Sequence, residues 1–294
     1  MLGGLAALPF ANTLARAQAV PITRAIPSSG EPLPVIGMGS WITFNVGDDQ
    51  NLRDQRAEVL REFFACGGRV IDCSPMYGSS AAVIGHGLEK LGRPPQLFSA
   101  SKVWTWLQGD GPEQMAEQRA AWGVERFDLM QVHNLLNWDG HLETLKADKA
   151  EGRIRYLGIT TSHGSRHDEM EAVMRSQPLD FVQFTYNILD REAEERLLPL
   201  AADRGQAVLV NRPFRQKALI RRFAGQPLPG WAAEIGATTW AQALLKFIVA
   251  HPAVTCVIPA TTRVDHMAEN MAVLTGPLPD AALRRRMVAD AESL

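Results

Sequence analysis

Residues 69–102 read RVIDCSPMYGSSAAVIGHGLEKLGRPPQLFSASK, and they hold one complete repeat of the architecture. Residues 69–71 form a short buried strand, which ends in the carboxylate of Asp72 and a turn rich in Pro, Gly and Ser. A helix follows over 81–91, with apolar residues three and four apart, and residues 97–102 return as an apolar strand. The same alternation extends in both directions. Strands are expected at 35–41, 69–71, 97–102, 127–133, 154–160, 181–186, 207–210 and 254–259, and a helix follows each. Mostly apolar strands of this length are covered on both faces, as in a parallel sheet. Eight such units in a chain of 294 residues argue for an α/β fold of the (β/α)8 TIM barrel type. An open dinucleotide-binding sheet would carry a G-x-G-x-x-G turn after its first strand, and residues 37–44 read GMGSWITF instead. Two extended runs around Ser28, Ser29 and Gly30 predict a β-hairpin ahead of the barrel.

No linker-like stretch divides residues 20–294, so a single domain is expected there. Residues 1–19 differ in composition. They are rich in Leu, Ala and Gly, with Arg16 as the first charged side chain, and Ala17-Gln18-Ala19 fits a small-x-small cleavage pattern. An export signal whose basic region is missing is the expectation. It implies a periplasmic protein beginning at Val20; a cytoplasmic protein with an apolar arm is the alternative. The run is too short and interrupted to span a membrane. A net charge of −2 gives no electrostatic footprint for nucleic acid. Cys66, Cys73 and Cys256 lack metal-ligand spacing, and His86, His163, His167 and His251 form no plausible metal set, so no metal is expected.

In a barrel of this kind the site lies at the C-terminal ends of the strands. The second strand delivers Asp72 and, in its loop, Tyr77; the third ends on Lys102; the fourth ends on His133 and Asn134. Each alone reads as a structural residue. Together, acid, phenol, amine and imidazole on three neighbouring strands describe a proton-delivery site. A phenol titrates near ~10, so a lysine beside it, held charged by Asp72, should favour the phenolate and lower that pKa. His133 can hydrogen-bond the same substrate oxygen. No protein nucleophile is needed, which leaves hydride from a cofactor as the other reactant.

With Asp72 and Tyr77 in IDCSPMYG, Lys102 in SASK and His133 in DLMQVHN, the chain from about Ile22 to about Leu274 resembles the aldo-keto reductase superfamily. The resemblance implies NAD(P)H-dependent reduction of aldehydes or ketones, with Tyr77 as the acid, Lys102 and Asp72 as its tuning pair and His133 orienting the substrate. It implies cofactor contacts at Thr160, Thr161 and Gln183 around the nicotinamide carboxamide. The segment Asn211, Arg212, Pro213 and Phe214 falls where many members stack an aromatic on the nicotinamide. At the adenine end it points to Thr261, Glu269 and Asn270. Ala260 and His266 stand where NADPH-specific members carry Lys and Arg, so Arg263 becomes the source of charge for a 2'-phosphate. NADPH is the expected cofactor, with NADH possible. Trp41 and Trp104 are expected to wall the substrate pocket, with Trp106 a weaker candidate. The expected partner is a small carbonyl compound, and a monomer is slightly favoured. A nicotinamide-binding regulatory subunit on the same barrel is the alternative.

Overall fold

A computed structural model of the chain describes residues 20–294, so the expected leader over 1–19 lies outside the described residues. The expected hairpin is present as β1 (Thr23–Ala25) antiparallel to β2 (Pro32–Pro34). Eight barrel strands follow: β3 (Met38–Gly39), β4 (Val70–Asp72), β5 (Phe98–Val103), β6 (Phe127–Val132), β7 (Ile154–Thr160), β8 (Phe181–Thr185), β9 (Ala207–Asn211) and β10 (Cys256–Val257). They pair in chain order, all parallel. A bridge from Ile36 to Val257 closes the ring.

The outer layer begins with α1 (Gln50–Ala65), α2 (Ser80–Lys90), α3 (Gly111–Trp122), α4 (Trp138–Ala150), α5 (His167–Ser176) and α6 (Leu197–Asp203). Between β9 and β10 lie α7 (Ala218–Phe223), α8 (Trp231–Glu234) and α9 (Trp240–Val249), followed by α10 (Val264–Met271) and α11 (Ala281–Ser293). No helix among the described residues is long and apolar enough to cross a membrane.

Several elements differ from the sequence expectation. The strands at the seam are far shorter than 35–41 and 254–259. There the amides of Gly37 and Gly39 donate to the carbonyls of Val257 and Pro259, at 2.8 and 3.0 Å. A Cβ on Gly37 would lie 2.9 Å from the Val70 carbonyl, and one on Gly39 would lie 3.0 Å from that of Ile258. These glycines therefore serve close strand approach, not phosphate binding. The expected helix over 193–203 breaks into a 3-10 turn at Glu192–Glu194 and then α6. Restarting at Leu197 puts Pro199 in the first turn, where its missing N–H does no harm. Helices α7 and α8 lie in a stretch punctuated by Gly225, Pro227, Pro229 and Gly230, which reads as loop.

Side chains alternate across a strand, so inward positions recur every second residue. The base of the barrel is filled by Val70, Phe98, Leu129, Tyr156, Phe181, Ala207 and Cys256, capped by Ile26 and Leu33 of the hairpin. Phe98, Tyr156 and Phe181 pack with ring centroids 5.5 to 5.9 Å apart, each pair contributing about 0.5–1.5 kcal/mol beyond its buried area. Below them Glu31 of the hairpin accepts hydrogen bonds from Arg69 and Arg155. The opposite parity, including Ile71, Val132, Ile159, Val182 and Val210, packs outward against the helices. Further up the inward face the side chains become polar: Asp72, Lys102, Gln131, His133, Thr160, Gln183 and Asn211. The barrel is thus apolar at its base and polar at its C-terminal mouth.

Candidate active site

The Asp72 carboxylate lies at the centre of this polar layer. Its Oδ2 accepts a 2.5 Å bond from Lys102 Nζ, and both side chains are buried. Its Oδ1 accepts from Gln183 Nε2 at 2.9 Å and from Gln131 Nε2 at 3.3 Å. Lys102 Nζ also donates to the Cys73 carbonyl at 2.9 Å. Burial works against the ammonium, but the Asp72 carboxylate beside it outweighs that cost and holds the lysine pKa above its ordinary value. Tyr77 follows on a 3-10 turn, Pro75–Tyr77, capped by the Ser74 hydroxyl. The Lys102 ammonium stands 5.2 Å from the centre of its ring.

The phenol departs from the sequence expectation in one respect. Lys102 does pull the Tyr77 pKa down, but burial acts more strongly, and the phenol is pushed up to about 12. Tyr77 therefore stays protonated at any working pH. His133 is neutral for related reasons: burial first, and then the Lys102 charge, drive its pKa down to about 2. Its ring meets that of Tyr77 edge-on, with centroids 5.7 Å apart and planes at 84°. The buried Cys73 thiol is raised to about 11 by desolvation, which keeps it out of the reactive thiolate form.

Between pH 6.5 and about 2 the unfolded chain protonates this imidazole while the folded chain does not. Stability associated with His133 is present above pH 6.5 and is lost as the pH falls, at up to about 1.4 kcal/mol per pH unit. Urea unfolding from pH 7 to pH 4 should show a shallower loss in His133→Asn than in the wild type. His163 and His251, also depressed by burial, have the same sign and remain in both proteins. Equal slopes would show that His133 is not held neutral.

Above these residues opens a cavity of about 560 Å³. Its walls include Asp72, Tyr77, His133, Thr160, Thr161, Gln183, Asn211, Arg212, Pro213, Phe214 and Trp41, all anticipated from the sequence. Other expected residues lie elsewhere. Lys102 is beneath the floor. Trp104 is not a wall residue, although its ring is 6.4 Å from that of His133, and Trp106 is largely exposed. Thr261, Arg263, Glu269 and Asn270 are outside the cavity; Thr261 and Arg263 adjoin its wall residues Ala260 and Thr262 in the chain, and Glu269 and Asn270 lie on α10. The Arg263 guanidinium is paired with the Asp265 carboxylate, which opposes the charge expected for a 2'-phosphate.

Some expected ligand groups are already engaged. The Gln183 amide is tied to Asp72. Asn211 donates to the Thr161 carbonyl at 2.8 Å and accepts from Thr185 Oγ1 at 2.8 Å. Thr160 Oγ1 accepts the Asn134 amide at 3.0 Å. Ser74 and Gln131 escaped the sequence reading. Gln131 lies on β6 two residues before His133, which directly follows the strand end, so the parity of inward positions is a usable signal. Ser74 lies between Asp72 and Tyr77, but nothing in the sequence shows that its hydroxyl reaches His133.

The sequence model of the aldo/keto reductase family matches residues 35–286. The chain belongs to this family. It is 28% identical over 233 residues to the NADH-specific methylglyoxal reductase of Escherichia coli (strain K12), covering 67% of this chain and 68% of that protein. It is 28% identical over 197 residues to the aldo-keto reductase YhdN of Bacillus subtilis (strain 168), covering 61% of this chain and 58% of that one. Among solved structures it resembles an aldo/keto reductase from Klebsiella pneumoniae in complex with NADP and acetate. The TM-score is 0.75 at 23% identity, over 90% of this chain and 92% of that one. The glycerol dehydrogenase of Gluconobacter oxydans aligns with a TM-score of 0.77 at 18% identity, over 92% and 95%. These two likenesses are of fold.

The cavity of this aldo/keto reductase suits a nicotinamide dinucleotide. Buried Thr43 Oγ1, Thr161 Oγ1 and Arg212 Nη1 have no hydrogen-bond partner among the described residues, and all three residues line the cavity. Unmet polar atoms at such a wall are costly unless a ligand or water meets them. The loop after β9 is also strained. Arg212, Arg215, Gln216 and Lys217 all have positive φ, and Arg215 is anchored by Asp190. Backbone strain of this kind is often concentrated at ligand sites.

Proposed function

We propose that the protein is an NAD(P)H-dependent reductase that converts aldehydes or ketones to alcohols. The observation that carries this reading is the edge-on pairing, at one cavity, of the Tyr77 phenol with the His133 imidazole, backed by the buried Lys102–Asp72 ion pair. A reduced nicotinamide, when bound, supplies hydride to the carbonyl carbon. The chain acts on the oxygen. Tyr77 donates its proton as negative charge builds there, and Lys102 stabilises the phenolate left behind. That attraction grows only as the charge forms, so it lowers the barrier instead of merely tightening ground-state binding. Asp72 keeps Lys102 charged and aimed, and His133 directs the oxygen towards Tyr77.

For the cofactor, the Escherichia coli relative is named NADH-specific and the Klebsiella pneumoniae structure holds NADP. On this chain Arg263 favours a 2'-phosphate, while its partner Asp265 opposes one. NADPH is the expected cofactor, and NADH remains in the proposal for that reason. The purified protein should oxidise one or both reduced cofactors in the presence of aromatic aldehydes or dicarbonyls, followed by nicotinamide absorbance. Cofactor binding with no turnover across a broad carbonyl panel would favour a regulatory subunit instead.

A further inference from the structure

The serine between Asp72 and Tyr77 lies outside the group of Tyr77, Lys102, Asp72 and His133. Ser74 is fully buried, and its Oγ lies 2.8 Å from Nδ1 of His133. The same oxygen accepts the backbone N–H of Met76 at 3.3 Å. The Ser74 carbonyl in turn accepts the Tyr77 N–H at 3.0 Å, so this one residue touches both the turn bearing the phenol and the imidazole. A hydroxyl has one proton to give. Among the hydrogen bonds of the described residues, His133 Nδ1 is the only acceptor within reach of the Ser74 proton. If Nδ1 carried its own proton, Ser74 Oγ would face two donors and its own buried proton would have no acceptor, an unfavourable arrangement. The proton of the neutral imidazole therefore belongs on Nε2, which has no hydrogen bond among the described residues, and His133 lines the cavity.

We propose that Ser74 is a positioning residue that fixes His133 as the Nε2–H tautomer, so that the imidazole presents a donor to the cavity. Two neutral donors, the Tyr77 hydroxyl and His133 Nε2–H, then converge on a single acceptor oxygen. This matches a carbonyl and rejects a ligand that offers a donor at that point. The catalytic consequence rests on the carbonyl-reductase reading; the tautomer itself does not. Which imidazole nitrogen carries the proton is set by the hydrogen bond at the other nitrogen.

The test uses full-length protein labelled with 15N-histidine, with the His133 resonances assigned by their loss in His133→Asn. Long-range proton–nitrogen correlation between pH 6 and pH 9 should show the Nε2–H form in the wild type. Ser74→Ala, which deletes a single oxygen, should shift the population towards a mixture of tautomers. It should also lower kcat by roughly five- to tenfold with little change in cofactor affinity. Ser74→Thr, which keeps the hydroxyl, should restore the wild-type tautomer and most of kcat. A wild-type Nδ1–H form, or an Nε2–H form that persists in Ser74→Ala, overturns the proposal. Because the spectrum is read without substrate, that result stands even if no carbonyl is reduced. If the tautomer shifts as expected but kcat in an active enzyme does not change, the catalytic half of the proposal falls alone.

Discussion

Tyr77→Phe should lower kcat for carbonyl reduction by roughly 10²–10⁴-fold, the usual contribution of a general acid, while leaving cofactor affinity close to wild type. The substitution removes one oxygen and keeps the ring, so the edge-on contact with His133 is retained. The loss should be uniform from pH 6 to pH 9, because a phenol held near 12 is fully protonated throughout that range. Rates with each carbonyl, together with fluorescence titration of the reduced cofactor, separate the two quantities. Undiminished turnover in Tyr77→Phe would remove Tyr77 from the acid role. A residual rate that rises at low pH would point to solvent as the substitute proton donor.

The second large effect is expected at Lys102. Lys102→Met leaves the Asp72 carboxylate buried with only the Gln131 and Gln183 amides as donors, and breaking a buried pair in this way costs about 3–5 kcal/mol. The urea midpoint should fall accordingly, and kcat should fall with it, since the phenolate of Tyr77 would have no cation beside it. Asp72→Asn combined with Lys102→Met removes the stranded charge and keeps an acceptor oxygen for the two glutamines. Most of the stability should return and the activity should not. The double variant thus separates the structural from the chemical work of the pair. A Lys102→Met protein as stable as the wild type would mean that the buried pair contributes no net stability.

Much of this site is legible in the sequence. Asp72, Lys102 and His133 could be read as strand ends because short apolar runs stop on them, and Tyr77 because it occupies the turn that follows. Strand parity reaches Gln131 as well, two positions before His133 on the inward face. The adenine end was harder. Arg263 carries the expected charge, but its pairing with Asp265 is a matter of rotamer and loop path, which spacing does not encode. Trp104 was expected in the pocket wall and lies outside it, because where a loop side chain points depends on what the neighbouring loops leave open.

By itself, the sequence determined the eight-fold alternation of strand and helix, the parallel barrel it implies, and the set of titratable residues gathered at the strand ends. Those properties follow from local periodicity and from the period-two geometry of strands, which act over a few residues. The tertiary structure alone decided the electrostatic state of the site. Burial lifts Tyr77 above its free value against the pull of Lys102, and burial with the Lys102 charge keeps His133 neutral. The hydrogen bond between Ser74 and His133 spans 59 positions. Such quantities depend on desolvation and on contacts between segments distant in the chain, and only closure of the barrel brings those segments together.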